Sequence, residues 1–367
     1  MTLILFILIL GATVLVHEFG HYIFARITGV HVYEFAIGMG PKIFSKESKK
    51  TGICYSLRAI PIGGFVQLAG EEVETKEVRK KYAGKMLQDK TVFQRFLIMF
   101  FGAGNNFIFA LIICFVLAIF FGTNPYKPII DVPNEGDPMY VAGLRTGDLI
   151  TKIGNDKVKY FDDARLLVTV HCNDQIKRIA KGKDITGLKF TVKRDGKYST
   201  YTVVPNILEK DGVKSCLYGF SINQDKKPGI IPYSFATFTK YFKQMFLTLK
   251  LLFTGKAGVK DLSGPVGIYN VVGQARKFGV ASLLELVVLL NVNVGFINLL
   301  PFPAFDGGHL LFLIIEKIKG SPVDPKVENT IHTIGFVLLI LLIIYVTFND
   351  ILRIFVKNIR FFLFCRE

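Results

Sequence analysis

Five consecutive residues near the amino terminus, His17-Glu18-Phe19-Gly20-His21, have the types and spacing to bind a metal ion and activate water on it. On a helix, positions i and i+4 share one face, so both imidazoles can reach a single ion. Glu18, directly after the first histidine, is placed to act as general base. A catalytic zinc takes three protein ligands and leaves one position open. The third ligand must therefore come from another part of the chain. Asp306 is the leading candidate, because it follows Pro301 and Pro303 and precedes Gly307-Gly308. Glu285 and His309 are further candidates. His309, three residues after Asp306, is better suited to a supporting hydrogen bond. The structural alternatives are two helix-packing histidines with a snorkelling glutamate, and an aspartate that only caps a helix.

The elements that must position these residues are apolar. Four stretches reach the ~20 residues needed to cross a bilayer. They are Thr2 to Ala25, Leu97 to Phe121, Ala281 to Ile315 and Asn329 to Asn349. The first has no basic n-region and no small-x-small site closing its apolar run, so it is expected to be a retained helix rather than a cleaved signal. It carries the two histidines and Glu18, and ionisable groups inside a span are functional candidates by default. The third is interrupted by its prolines just before Asp306. Freed backbone groups are tolerated at membrane depth only where protein or a watery cavity surrounds them.

Composition agrees with this division. Apolar residues make up 51% of the 367, yet 20% are charged, so the two kinds are segregated along the chain. Disorder is excluded, because its signature is low hydrophobicity. The five cysteines, at 54, 114, 172, 216 and 365, are odd in number and form no CxxC, which argues against a disulfide scaffold. The net charge of +16 points to nucleic acid or to anionic lipid. Arg26 to Arg95 holds 13 Lys/Arg against 7 Asp/Glu, and within it Tyr55 to Gly70 reads as β structure around Gly63-Gly64. Gly122 to Val280 holds 25 Lys/Arg against 14 Asp/Glu. Its short β-like runs (Pro128–Val132, Leu149–Ile153, Leu188–Lys193, Thr200–Val204) describe a small mixed α/β domain. Tyr233 to Phe253 then reads as an amphipathic helix on a membrane surface. The tail, with Arg353, Lys357, Arg360 and Arg366 among apolar residues, has the same pattern.

Together the motifs resemble the site-2-protease family of intramembrane zinc metalloproteases, most closely the bacterial regulator-of-sigma-E protease type. The likeness rests on the His17–His21 motif in a first span and on Asn298-Leu-Leu-Pro-Phe-Pro-Ala-Phe-Asp306-Gly-Gly-His in a later one. Gly63-Gly64-Phe65-Val66-Gln67-Leu68, Ala142 to Ile150 and Ser263-Gly-Pro-Val-Gly-Ile268 add to it. The resemblance implies a multi-pass α-helical membrane protein of four transmembrane helices, a membrane-associated β-loop and an inserted extracytoplasmic PDZ-like α/β domain. The implied division is 1–28 first span, 29–95 cytoplasmic region with the β-loop, 96–122 second span, 123–208 PDZ-like domain and 209–280 amphipathic linker. There follow 281–318 third span, 319–328 cytoplasmic loop, 329–349 fourth span and 350–367 amphipathic tail. His17, His21 and Asp306 would bind Zn²⁺, and Glu18 would be the catalytic acid/base. Asn298 and Asn293, with Gly63, Gly64 and Phe65 of the β-loop, would hold substrate. The implied substrates are single-pass membrane proteins, such as anti-sigma factors or signal-peptide remnants, trimmed beforehand by another protease.

Two departures stand out. Phe305 stands where the family usually has Leu, and Gly102-Ala103-Gly104-Asn105-Asn106 stands where it usually has Gly-Pro-x-x-Asn. Both concern local packing. Four spans with the basic 26–95 region inside place the PDZ-like domain outside the plasma membrane. The charge surplus then faces lipid, and nucleic acid is not an expected partner. The rival functions are a membrane PDZ receptor or scaffold with a non-proteolytic metal site, and a zinc transporter.

Overall fold

The computed structural model describes residues 1–71, 74–123, 127–132, 134–210, 213–223, 228–253 and 263–364. In chain order the elements are α1 (Thr2–Thr28), β1 (Val32–Glu47), β2 (Cys54–Leu68), α2 (Lys76–Lys81), α3 (Val92–Phe120), β3 (Ile130–Asp131), α4 (Pro138–Val141), β4 (Leu149–Ile153), β5 (Asp156–Lys157) and α5 (Phe161–Ala180). They continue with β6 (Leu188–Arg194), β7 (Lys197–Val203), β8 (Asn206–Lys210), β9 (Val213–Leu217), β10 (Ser221–Ile222), α6 (Ile230–Phe253), α7 (Pro265–Lys277), α8 (Val280–Asn298), α9 (Asp306–Lys319) and α10 (Pro325–Phe364). The chain separates into two units, Met1–Leu117 with Tyr241–Glu367, and Ala118–Lys240. Four helices are long and apolar enough to cross a membrane: Thr2–Thr28, Val92–Phe120, Val280–Asn298 and Lys326–Leu352. Four such helices are therefore present, but the third ends at Asn298, and the rest of the stretch expected as one span to 318 forms the separate helix α9. α10 runs on to Phe364 without a break, since no Gly or Pro follows Gly335 within it. Cys365 and Arg366, parts of the 209–280 linker and the side chains that would make the tail amphipathic lie outside the described residues.

In the first unit, β1 and β2 form a hairpin that folds back on itself. Residues 34–37 pair on one side with 64–67 and on the other with 54–57, and 54–57 pair in turn with 44–47. Two strands thus build four rungs. Gly63-Gly64 therefore lies inside a bent strand rather than at a hairpin tip. The bends need backbone that a Cβ disfavours, and Gly38 (φ 85°) and Gly63 (φ 79°) supply it. Inside the fold, the buried Glu34 carboxylate accepts hydrogen bonds from Ser56 (2.5 Å) and Arg58 (2.7 Å) and pairs with Lys42 (2.8 Å). Burial opposes ionisation of Glu34, but these donors outweigh it and hold the carboxyl down at about 2.

The helices meet through small residues, as expected where lipid cannot drive them together. A Cβ on Gly20 of α1 would stand 2.0 Å from the Phe101 carbonyl oxygen of α3, and one on Gly295 of α8 would stand 3.0 Å from that of Ala103. A buried polar cluster joins the same three helices: Asn291 Nδ2 donates to Thr13 Oγ1 (3.4 Å) and Asn106 Nδ2 to the Thr13 carbonyl (3.5 Å). The Ser263-Gly264-Pro-Val-Gly267 motif finds its reason in Asp350 of α10. The Gly264 and Gly267 N–H groups, at the start of α7, both donate to Asp350 Oδ2 at 2.8 Å. A side chain at either glycine would crowd that oxygen at 3.0 Å. A carboxylate at a helix amino terminus satisfies orphan N–H groups and meets the positive end of the dipole.

In the second unit, a four-stranded antiparallel sheet has the order β5-β4-β6-β7. β6 and β7 are joined by Asp195-Gly196, both at positive φ, as a two-residue hairpin turn requires. Ile150, Leu144, Met139, Phe190 and Val192 are fully buried, each worth about 1.5–3 kcal/mol. Asp148, in the Ala142–Ile150 segment that adds to the family likeness, faces inward and holds the Arg194 guanidinium at 2.6 Å through both oxygens. Cys172 of α5 and Cys216 of β9 form a disulfide. A cleft of about 480 Å³ lies among Ile150, Val158, Tyr160 and the α6 residues Phe235, Ala236 and Thr239.

Two measurements check these supports. Asp350→Ala orphans one buried and one half-buried N–H group and is expected to cost about 1–3 kcal/mol, read as a lower melting temperature in detergent. Glu34 ionises below its ordinary 4.5, so its stabilising effect is complete above about 4.5 and is lost as pH falls toward about 2. Glu34→Gln is expected to remove that part of the acid melting profile.

Candidate metal centre

α1 presents His17 and His21 on one face, and α9 presents Asp306 at its first residue. The break between α8 and α9 spans 299–305, where the prolines end one helix and the next restarts. Phe305, not Asp306, occupies the N-cap position of α9, so the aspartate is free of the capping role. His17 Nε2 and His21 Nε2 stand 3.2 and 3.3 Å from Asp306 Oδ2, and 3.2 Å from each other. Tetrahedral zinc with bonds of about 2.0–2.1 Å separates its ligand atoms by about 3.3–3.4 Å. The three donor atoms thus outline one face of such a tetrahedron. Asp306 Oδ2 is buried and, despite these separations, has no hydrogen-bond partner. An orphaned, converging carboxylate oxygen fits a metal ion.

The histidine tautomer is set by a group that sequence reasoning did not find. His21 Nδ1–H donates to the Ile98 carbonyl of α3 at 2.9 Å, which turns the Nε2 lone pair toward Asp306. The Gly102 of the departing segment is what makes room for this ring. A Cβ there would stand 2.2 Å from His21 Nε2. Its neighbour Asn105 donates to the Val16 carbonyl, just ahead of His17. Only the pattern of small residues at 102–104 hinted at such close contact.

Glu18 lies beside this triangle and is tied to the β-fold. The Val66 N–H, on the edge of the fold that faces α1, donates to Glu18 Oε2 at 3.0 Å. Gly63, Gly64 and Phe65 precede it in the same rung. A Cβ on Gly64 would meet the Ala36 carbonyl oxygen at 2.6 Å, and the Arg58 guanidinium lies 4.6 Å over the Phe65 ring. Asn298 is the last residue of α8, at the mouth of the break. Asn293 lies five residues earlier, and neither amide has a side-chain hydrogen bond among the described residues. The helix asparagine bound to α1 is Asn291, which sequence reasoning passed over. Glu285 is exposed and belongs to neither His/Glu/Asp cluster, and His309 instead donates to Glu328. A cavity of about 270 Å³ lined by Glu71, Arg95, His309, Glu316 and Glu328 opens in the same unit. Burial pushes the Glu71 carboxyl up from its ordinary value.

Two imidazoles and a carboxylate around one point, with a glutamate alongside, are the donor set that zinc hydrolases use. The chain belongs to peptidase family M50, the site-2-protease family, whose model matches residues 5–342. It is 37% identical over 356 residues to a Clostridium perfringens protein whose name reads "Putative zinc metalloprotease", covering 96% of this chain and 99% of that one. It is 33% identical to a similarly named Fusobacterium nucleatum protein (97% and 100% covered). It is 30% identical to the zinc metalloprotease RasP of Shouchella clausii (96% and 99%). The chain is thus a multi-pass membrane zinc metalloprotease of this family. Gly102→Ala, which pushes a methyl group into the His21 ring, is expected to lower bound zinc at least tenfold while the far-ultraviolet circular dichroism stays unchanged. Elemental analysis of the purified protein checks it.

Proposed function

We propose that this protease cuts a peptide bond within the transmembrane segment of single-pass membrane proteins, with His17, His21 and Asp306 as zinc ligands and Glu18 as acid/base. The observation that carries the reading is the convergence of three donor atoms within 3.3 Å, two of them on a helix long and apolar enough to span a membrane and the third at the start of the helix that follows the break after another such helix. When bound, Zn²⁺ supplies Lewis acidity toward the scissile carbonyl and toward water.

The chain's own residues do the rest. The Val66 N–H holds Glu18 through Oε2 and leaves Oε1 to take a proton from the attacking water and pass it to the leaving nitrogen. A helical substrate hides its peptide bonds and must be unwound. The rung 64–68 has its outer edge toward α1, and strand addition there would hold an extended substrate beside Glu18. Asn298 and Asn293, whose amides make no side-chain hydrogen bond among the described residues, would bind its backbone. The polar cavity lined by Glu71 and Arg95 offers a route for water.

Placement follows the same logic. The basic 26–95 region favours the cytoplasmic side of a plasma membrane. Ile43 and Phe44, exposed on the outer rung, suit contact with lipid. The second unit is then an extracytoplasmic PDZ-like domain, and its disulfide suits an oxidising compartment. Its cleft would engage substrates already trimmed outside, with anti-sigma factors and signal-peptide remnants as the substrate classes. Glu18→Gln is expected to slow cleavage of a co-expressed single-pass substrate about 10²–10⁴-fold, with membrane stubs accumulating. Cleavage at the parental rate would refute the assignment.

A further inference from the structure

We infer that His332, on α10, is a positioning residue for the Asp306 carboxylate, acting through the backbone of Ala304. The inference rests on the assignment of Asp306 as a zinc ligand. The turn that delivers Asp306 contains Ala304 at φ 98°, a left-handed conformation that residues with a Cβ seldom adopt. Such backbone persists only where its surroundings over-determine it. Here the surroundings are one face of α10. The Ala304 N–H donates to His332 Nδ1 at 3.3 Å. The His332 ring stacks on that of His309, with centroids 3.9 Å apart and planes 16° from parallel. His309 stands one turn after Asp306, and its Nδ1–H donates at 3.1 Å to Glu328, one turn before His332 on α10. On the following turn, Gly335 lets the α10 backbone touch Pro303; a Cβ there would lie 2.1 Å from the Pro303 carbonyl oxygen. α10 therefore grips the chain on both sides of Asp306, at Pro303 and Ala304 before it and at His309 after it.

The rival reading of His309, Glu328 and His332 is a second metal site, since their donor atoms lie within 4.8 Å of one another. Two observations oppose it. His332 Nδ1 accepts a hydrogen bond, so the proton of the neutral ring sits on Nε2, the atom whose lone pair a metal would need. That Nε2 is buried without a hydrogen-bond partner among the described residues, as Asp306 Oδ2 is, but it stands 4.0 Å from Glu328 Oε1, well beyond the 3.2–3.3 Å spacing around Asp306. The cluster has the geometry of a latch rather than a chelate.

The test uses the full-length protein in detergent. Zinc affinity is measured by chelator competition, and the ligand field by the visible spectrum of the Co²⁺-substituted protein. His332→Phe keeps a stacking ring and removes the acceptor. It is expected to weaken zinc binding about 10- to 100-fold and to change the cobalt bands. His332→Asn, which retains an acceptor near the same place, is expected to stay close to the parent. Adding Ala304→Gly to His332→Phe is expected to restore affinity, because glycine takes positive φ unaided. A His332→Phe protein with parental zinc affinity and cobalt spectrum, changed only in melting temperature, would overturn the inference. So would a second zinc equivalent that disappears with His332. Zinc binding that survives Asp306→Ala would remove the ligand assignment itself, and the inference with it.

Discussion

Three atoms with lone pairs, His17 Nε2, His21 Nε2 and Asp306 Oδ2, are held within 3.3 Å of one another among apolar helices. Groups of this kind are costly to bury unless they are paired or bound to a cation. Their convergence is the constraint on which the rest of the fold depends. The two histidines share a face of α1 by simple helical geometry, whereas Asp306 must arrive from a residue nearly three hundred positions away. The break at 299–305 exists to make that delivery. It exposes backbone between apolar helices, which has to be covered by protein.

The supports form a hierarchy outward from the ligands. The Ile98 carbonyl fixes the His21 tautomer, Gly20 and Gly102 let α1 and α3 approach closely enough for that bond to form, and Gly295 brings α8 against α3. α10 serves twice. Its early turns grip the connection on both sides of Asp306, and Asp350 near the far end fastens the start of α7, which packs against α1 through Val272 and Ile9. The β-fold, pinned from inside by Glu34, brings a strand edge to Glu18. Glu18 is thus oriented by a different element from those that orient His17, His21 and Asp306. The metal position and the base can be disturbed separately.

Much of this was legible in the sequence. The His17–His21 spacing, the four apolar spans and a carboxylate after a proline break depend on composition and local period, and the structure follows them closely. The runs Leu149–Ile153 and Leu188–Lys193 emerged as strands for the same reason. What escaped was whatever depends on contacts between distant segments. Asp350 sits just past the end of an apolar span, where an acid looks like ordinary solvent exposure, yet it accepts two N–H groups from residues 264 and 267. His332 is the single ionisable group between Asn329 and Asn349, and nothing local marks its partner. Gly102, first a departure from a family pattern, is the space that His21 occupies. The double pairing of residues 34–37 cannot be read from alternation, because one strand with two partners has the same period as a strand with one. The Cys172–Cys216 disulfide is not legible in the sequence for a similar reason, since the two residues are 44 apart and meet only in the fold.

The central claim is that two imidazoles and one carboxylate hold the zinc. X-ray absorption at the zinc edge of the purified protein tests it most directly. The account predicts four-coordinate zinc with nitrogen and oxygen neighbours only, at about 2.0–2.2 Å, including an imidazole signature from two histidines. Sulfur neighbours at about 2.3 Å, or a first shell without imidazole, would contradict it.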